Sequence, residues 1–183
     1  MKDKLLIFVT CFLVGHVSAQ PLETELGLDG FFSASTFGGG LGLGAKYGFL
    51  KTEHLIIGPS IRYQRYWSNN LNTGVYASFN AYGIGGFVHR RFSNTLFLGS
   101  ELEIMRSPIN TYGMITGSGV LAPACFVGGG FSKAFDSGIR INAGLFYDLI
   151  NHVNSPFRSS YFMKRTNGTY IPAIYRICFF FPL

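Results

Sequence analysis

The residues in this 183-residue chain best suited to chemistry are His152 and Ser155, in the run His152-Val153-Asn154-Ser155. An imidazole beside a hydroxyl is what nucleophilic ester cleavage requires. The spacing works against that use, because three residues along a strand place two side chains on opposite faces. Asn, Ser, His and Pro are also ordinary turn residues. The expectation is therefore a non-catalytic polar loop, with a hydrolase centred on His152 and Ser155 as the alternative. His89 with Arg91 could relay protons but reads more simply as a pair of packed interior side chains. The glycine run Gly38 to Gly44 has no following helix and lacks phosphate-loop spacing. Asn167-Gly168-Thr169 matches a glycosylation sequon, yet Asn-Gly before a strand is first a turn signal. Cys125 and Cys178 have neither the spacing nor the companions of a zinc site. No metal or cofactor is expected.

The elements that would carry these residues follow a period of two. From Ile139 to Leu149, aliphatic and aromatic residues hold one parity while Arg140, Asn142 and Asp148 hold the other. A strand with that alternation has one greasy face and one charged face. Turn signals divide the chain into eight such strands, at about 23–34, 39–49, 55–67, 81–92, 96–106, 121–134, 138–150 and 169–181. Short connections at Leu50 to His54, Ser93 to Thr95 and Phe135 to Ser137 alternate with long ones at Ser68 to Asn80, Ser107 to Val120 and Asn151 to Gly168. The connection around Ser35 to Gly38 is the short exception among the latter. An even strand number with this alternation suits an antiparallel barrel with both termini at one end. Each strand has at least the 9–11 residues, roughly, that cross a bilayer at a tilt.

Parity assigns an outside and an inside. Leu26, Leu28, Phe32, Leu41, Leu43, Ala45, Tyr47, Leu55, Ile57, Ile61 and Tyr63 face out over the first three strands. Tyr82, Ile84, Val88, Leu96, Leu98, Leu102 and Ile104 continue the outer face, then Cys125, Val127 and Phe131. Inward fall Glu25, Asp29, Lys46, Arg62, Arg91, Glu101, Glu103, Arg140, Asp148 and Arg176, with His89 beside them. These are five acids and five bases, and a balanced, hydrogen-bonded set can be buried where an unpaired charge cannot. An eight-stranded barrel is just wide enough for side chains to fill. The interior is thus expected to be a salt-bridged plug, with Glu25–Lys46 and Asp29–Arg176 as adjacent-strand pairs. The inward glycines Gly40, Gly42, Gly44, Gly83, Gly85, Gly128 and Gly130 would make room for the arginines. Tyr66, Trp67, Phe79, Phe92, Tyr161 and Phe162 suit aromatic girdles at a membrane interface.

Composition points the same way. Aromatic residues make up 16%, charged residues only 13%, and there are 24 glycines. Soluble domains carry about 25% charged residues, and after the N-terminal segment there is no long apolar run for a membrane helix. Residues 1–19 read as a cleaved secretory signal: basic Lys2 and Lys4, apolar Leu5 to Val14, and the small-residue site Val17-Ser18-Ala19. Residues 20–183 would then form one domain. The formal charge of +6 becomes +5 once Lys2, Asp3 and Lys4 are removed. Its basic residues are divided between lumen and both rims, which does not suit nucleic acid. Arg65, Arg106, Arg158, Lys164 and Arg165 fall at the outer rim, where phosphorylated headgroups would attract them.

The last strand carries a recognisable pattern. Tyr175, Ile177, Phe179, Phe181 and Leu183 alternate to the final residue, with Leu183 where Phe is usual and Pro182 interrupting the donors. This resembles the C-terminal signal that outer-membrane proteins present to the barrel-assembly machinery. The whole mature chain resembles the small eight-stranded outer-membrane barrels of OmpA-like and OmpX-like type, and its signal followed by Gln resembles those of the Bacteroidota. The resemblance implies an all-β transmembrane barrel in the outer membrane of a Gram-negative bacterium. It implies contact with lipid and lipopolysaccharide, and no cofactor. The expected function is a structural or interaction role, as an accessory subunit of an envelope assembly. Eight-stranded lipid A deacylases, with His and Ser two residues apart and then Asn, frame the hydrolase alternative, from which His152 and Ser155 depart in spacing and order. A narrow pore is the third reading, opposed by the charged, bulky interior.

Overall fold

A computed structural model describes residues 23–35, 38–70, 75–109, 115–161, 163–164 and 170–183, with backbone alone at 33–35, 38, 68–70, 75, 109, 115–118, 159, 163–164 and 170. The signal segment, Phe162, Arg165 and the Asn167 sequon lie outside the described residues or side chains.

Eight antiparallel strands close into a barrel: β1 (Thr24–Ser35), β2 (Gly38–Thr52), β3 (Leu55–Asn70), β4 (Val75–Phe92), β5 (Leu96–Ile109), β6 (Ile115–Ala134), β7 (Arg140–Asp148) and β10 (Ala173–Pro182). Each pairs with its chain neighbour, and β10 returns to β1. A short ribbon of β8 (Met163–Lys164) and β9 (Tyr170–Ile171) precedes Pro172. The eighth barrel strand therefore starts later than its sequence pattern suggests, because Pro172 cannot donate to a ladder.

Two of the three long connections are largely strand. β3 and β4 continue to Asn70 and from Val75, paired throughout, and β5 and β6 reach Ile109 and Ile115. The third connection turns inward. It leaves β7 through Asn151, whose φ of 45° is a left-handed conformation that Asn tolerates. A single 3-10 turn, η1 (Pro156–Ser160), then buries Asn154, Ser155, Phe157 and Tyr161. The described part of this connection, up to Tyr161, thus folds over the mouth of the barrel. At the other end the turns are tight, one of them using Gly138 at φ 82°. The start of β1 and the end of β10 meet there, where Leu183 N–H donates to the Thr24 carbonyl over 3.0 Å.

Alternation sorts the wall into two environments. Outward apolar side chains stay exposed on every strand, for example Phe32, Leu43, Ile61, Ile84, Leu102, Phe131, Leu145 and Ile177. The aromatic residues read as girdles divide. Trp67 and Phe92 lie on the outside, but Tyr66 and Phe79 stack inside at 5.1 Å and Tyr161 is buried. The parity of Tyr66 with Arg62 and Gln64 accounts for its inward position.

Candidate functional site

The inward residues of five strands meet in a closed ring of alternating charge. Asp29 of β1 binds Lys46 of β2 at 2.5 Å, and Lys46 reaches Glu101 of β5 at 3.2 Å. Glu101 also pairs with Arg176 of β10, which binds Glu103 of β5 at 2.7 Å. Glu103 accepts from Arg62 Nε of β3 at 2.9 Å, and Arg62 Nη1 returns to Asp29 at 2.7 Å. Three acids and three bases thus close on themselves, all with side chains at most 5% exposed. Each carboxylate faces two cations, the arrangement in which buried charges recover their lost hydration. His89 Nε2 joins Glu101 at 2.9 Å, and its ring packs among Phe87, Phe97, Phe146 and Phe180.

The adjacent-strand pairs expected from parity do not form. Glu25 binds Arg91 of β4, with Nη1 donating over 2.9 Å, and not Lys46. Asp29 takes Lys46 and Arg62, leaving Arg176 to the two glutamates. Long cations reach across the lumen, so partners are chosen by depth in the barrel and not by strand order. Arg140 and Asp148 join no ion pair among the described residues. Arg140 donates to Ser132 Oγ at 3.0 Å. Asp148 caps the outer end, accepting from the N–H groups of Cys125 and Ile150 and from the Tyr161 hydroxyl at 2.7 Å. Burial first, then this bond to Asp148, pushes the Tyr161 phenol up from its ordinary range.

The inward glycines do not accommodate arginines. A Cβ at Gly40 or Gly42 would strike Phe31 or Tyr66, at Gly44 the Asp29 carboxylate, and at Gly83 Met105. At Gly85 it would meet Ser60 and Glu103, and at Gly128 and Gly130 the backbone of β7. The small residues serve rings, acids and close strand approach.

Above the ring lies the outer mouth. Phe157 stands edge-on to Phe126 at 4.9 Å, and Arg176 lies over Phe126 at 4.6 Å. Tyr66 bonds Ser160, tying β3 to η1. A cavity of about 260 Å³ remains between η1 and the ring, bounded by Asp29, Arg62, Gln64, Tyr161 and Arg176. Phe157 and Gln64 are the residues missed from sequence, and Tyr161 was placed in a girdle instead of here. The only signal for them was an aromatic after Pro156 and the shared parity of Gln64 with Arg62.

The structure does not assemble His152 and Ser155 as base and nucleophile. The His152 Nδ1 accepts the Asn154 N–H at 3.2 Å, and Ser155 N–H donates to the His152 carbonyl. Ser155 is buried beneath the cap. Among the described residues no three His, Cys, Asp or Glu side chains gather as a metal site needs. Cys125 and Cys178 are free thiols, on β6 and β10. The C-terminal residues Tyr175, Ile177, Phe179 and Leu183 are exposed on the outer face, with Phe181 half-buried.

No protein-family model matches the chain, and neither a curated protein nor a solved structure matches it. What the chain shows is its architecture: an eight-stranded antiparallel closed barrel whose buried charges are salt-bridged.

Proposed function

We propose that this chain is a non-catalytic integral barrel of a Gram-negative outer membrane, acting as an interaction subunit of an envelope assembly. The observation that carries the reading is the inversion of polarity. Leu, Ile, Phe and Tyr side chains cover the outside of every strand, while the lumen holds the charged ring. Ile84 is 69% exposed and Phe131 72%, values that are costly in water over so wide a belt and natural against lipid. Arg65 and Arg106 stand exposed near the end of the barrel that η1 caps, and their charge suits phosphate groups of lipopolysaccharide. The same barrel would be handed to the assembly machinery through its last strand. The filled lumen speaks against a pore, and a buried Ser155 hydroxyl without a hydrogen bond to the His152 ring speaks against a hydrolase.

The test is expression of the tagged full chain in a Gram-negative host, followed by membrane fractionation and detergent pull-down. Recovery in the outer membrane with a stoichiometric envelope protein is the expected result. Recovery in a soluble fraction would overturn the membrane reading. Recovery in the membrane without any stoichiometric partner would overturn the subunit role.

A further inference from the structure

The outer end of the wall carries two arginines that the chain itself does not neutralise. Arg65 of β3 and Arg106 of β5 are exposed and share the outward parity of Tyr63 and Ile104. The sequence holds nine acids. Asp3 precedes the described residues, and five others turn into the lumen. Glu23, Glu53 and Asp136 stand at the opposite end of the barrel, beside the tight turns. From Glu23 onward, therefore, no carboxylate stands on the outer face near either arginine. Cations at the edge of a low-dielectric belt attract anions from outside when the protein supplies none.

Both arginines border one groove on the outer wall. Register sets Leu43, Tyr63, Tyr82 and Arg106 on one rung across β2 to β5. Ala45, Ile61, Ile84 and Ile104 form the rung below, and Leu41, Arg65 and Asn80 the rung above. Leu43, Ala45, Ile61, Tyr63, Tyr82 and Ile84 line a groove of about 400 Å³. That volume lies within the roughly 300–1,000 Å³ of small-molecule sites, and the apolar lining suits a hydrocarbon chain. The upper edge is polar: the Tyr63 hydroxyl donates to Asn80 Oδ1 at 3.0 Å, and Arg106 Nη1 donates to the Tyr82 hydroxyl at 3.4 Å. The Arg106 stem lies over Gly119 of β6, where a Cβ would come within 2.7 Å of Cγ. Its tip thus reaches back over β4, toward Arg65. Strand spacing and rise set the two arginine Cα atoms about 12 Å apart, a gap that two guanidinium arms close from either side.

We propose that this groove docks a phosphorylated lipid, with one acyl chain along Ile61 and Ile84 and a phosphate monoester between Arg65 and Arg106. Guanidinium groups take phosphate oxygens through paired N–H donors. The three rungs run from aliphatic through phenol to guanidinium and amide, the order of chain, ester and phosphate in such a lipid. The other exposed cations of the strands, Lys51, Arg90 and Lys133, stand at the opposite end, so among the described residues charge and groove coincide here. This rests on the membrane reading above and narrows its lipid contact to one face. An acidic protein segment would meet the arginines but leave empty the groove, which lies deeper in the apolar belt.

The experiment uses the full mature chain folded from neutral glycoside detergent, with insertion into phosphatidylcholine vesicles checked first by heat-modifiable gel mobility. Native mass spectrometry then counts adducts of dioleoyl phosphatidic acid, dioleoyl phosphatidylcholine and dioleoylglycerol. One retained phosphatidic acid per chain is expected, with the other two lipids at background and no displacement by excess inorganic phosphate. Arg65→Gln and Arg106→Gln should each weaken retention about fivefold. Ala45→Phe, which fills the groove from the outer face, should weaken it about tenfold. Arg90→Gln, an exposed arginine at the opposite end, should leave retention unchanged. Equal retention of phosphatidylcholine, displacement by inorganic phosphate, or an equal loss in Arg90→Gln would overturn the site. A bound protein, whether a second copy or another chain, that Ala45→Phe releases while the lipid adduct stays would overturn the lipid assignment. A barrel that inserts yet retains no phosphatidic acid would overturn the site alone. Failure to insert into vesicles would overturn the membrane reading and the site with it.

Discussion

Strand β1 has two edges, and they are held in different ways. Toward β2 it is paired at twelve positions along its whole length; toward β10 the pairing ends after five. Where that ladder stops, side chains take over, but none bridges Asp29 to Arg176 directly. Lys46 and Arg62 each connect Asp29 of β1 to a glutamate of β5, and both glutamates hold Arg176 of β10. The β10 edge is thus fastened across the lumen and the β2 edge along the wall. A wall ladder is local and redundant, since losing one bond leaves its neighbours. Among the described residues the ion pairs of the ring give this cross-lumen fastening two routes, so each member carries a large share.

The sharpest way to break this contrast is Arg62→Met. It cuts one route and leaves Asp29 and Glu103 short of a partner, at a cost of about 3–5 kcal/mol in urea unfolding of the folded barrel. Amide exchange should rise over Ala173–Ile177 and remain slow where β1 pairs with β2. Equal rises on both edges would mean that the ring does not fasten the β10 edge.

Phe157→Ala comes next, with a loss of about 3 kcal/mol, because the cap over Arg176 loses its ring against Phe126. Its effect should be confined to the outer mouth, read as faster proteolysis of the 151–161 segment.

Tyr161→Phe should cost about 1–2 kcal/mol by removing a donor from the buried Asp148 carboxylate. The Tyr161 phenol is raised in the folded state, so its contribution is complete below the usual phenol range near about 10. It is lost only as pH climbs through the raised value. Ultraviolet titration should therefore show one late-ionising tyrosine fewer in Tyr161→Phe than in the unchanged chain. Smallest is Arg106→Gln, an exposed side chain that bonds Tyr82 at 3.4 Å. Stability should change by no more than about 0.5 kcal/mol, and both edges of β1 should be unaffected.

Strand number, order and inward parity were legible because a two-residue period survives in any register. Lys46, Glu101 and Arg176 could be assigned to the lumen on that ground alone. Their partners could not, because long side chains choose among all residues at one depth, and depth depends on strand tilt and stagger. That is why Glu25 meets Arg91. The cap was hidden for another reason. Phe157 lies in a stretch with no period, and only the space left above Arg62 and Arg176 explains why it folds inward. The early end of the β1–β10 ladder was likewise beyond pattern reading, since Phe32 and Tyr175 alternate as faultlessly as residues matched across it.

The ring also sets an order of assembly. Its six charges come from β1, β2, β3, β5 and β10, the first and last barrel strands among them. Until β10 docks, the same lumen holds Asp29, Glu101 and Glu103 against Lys46 and Arg62, one negative charge in excess. Arg176 removes that surplus by pairing with Glu101 and Glu103. Closure of the cylinder and neutrality of its centre therefore coincide.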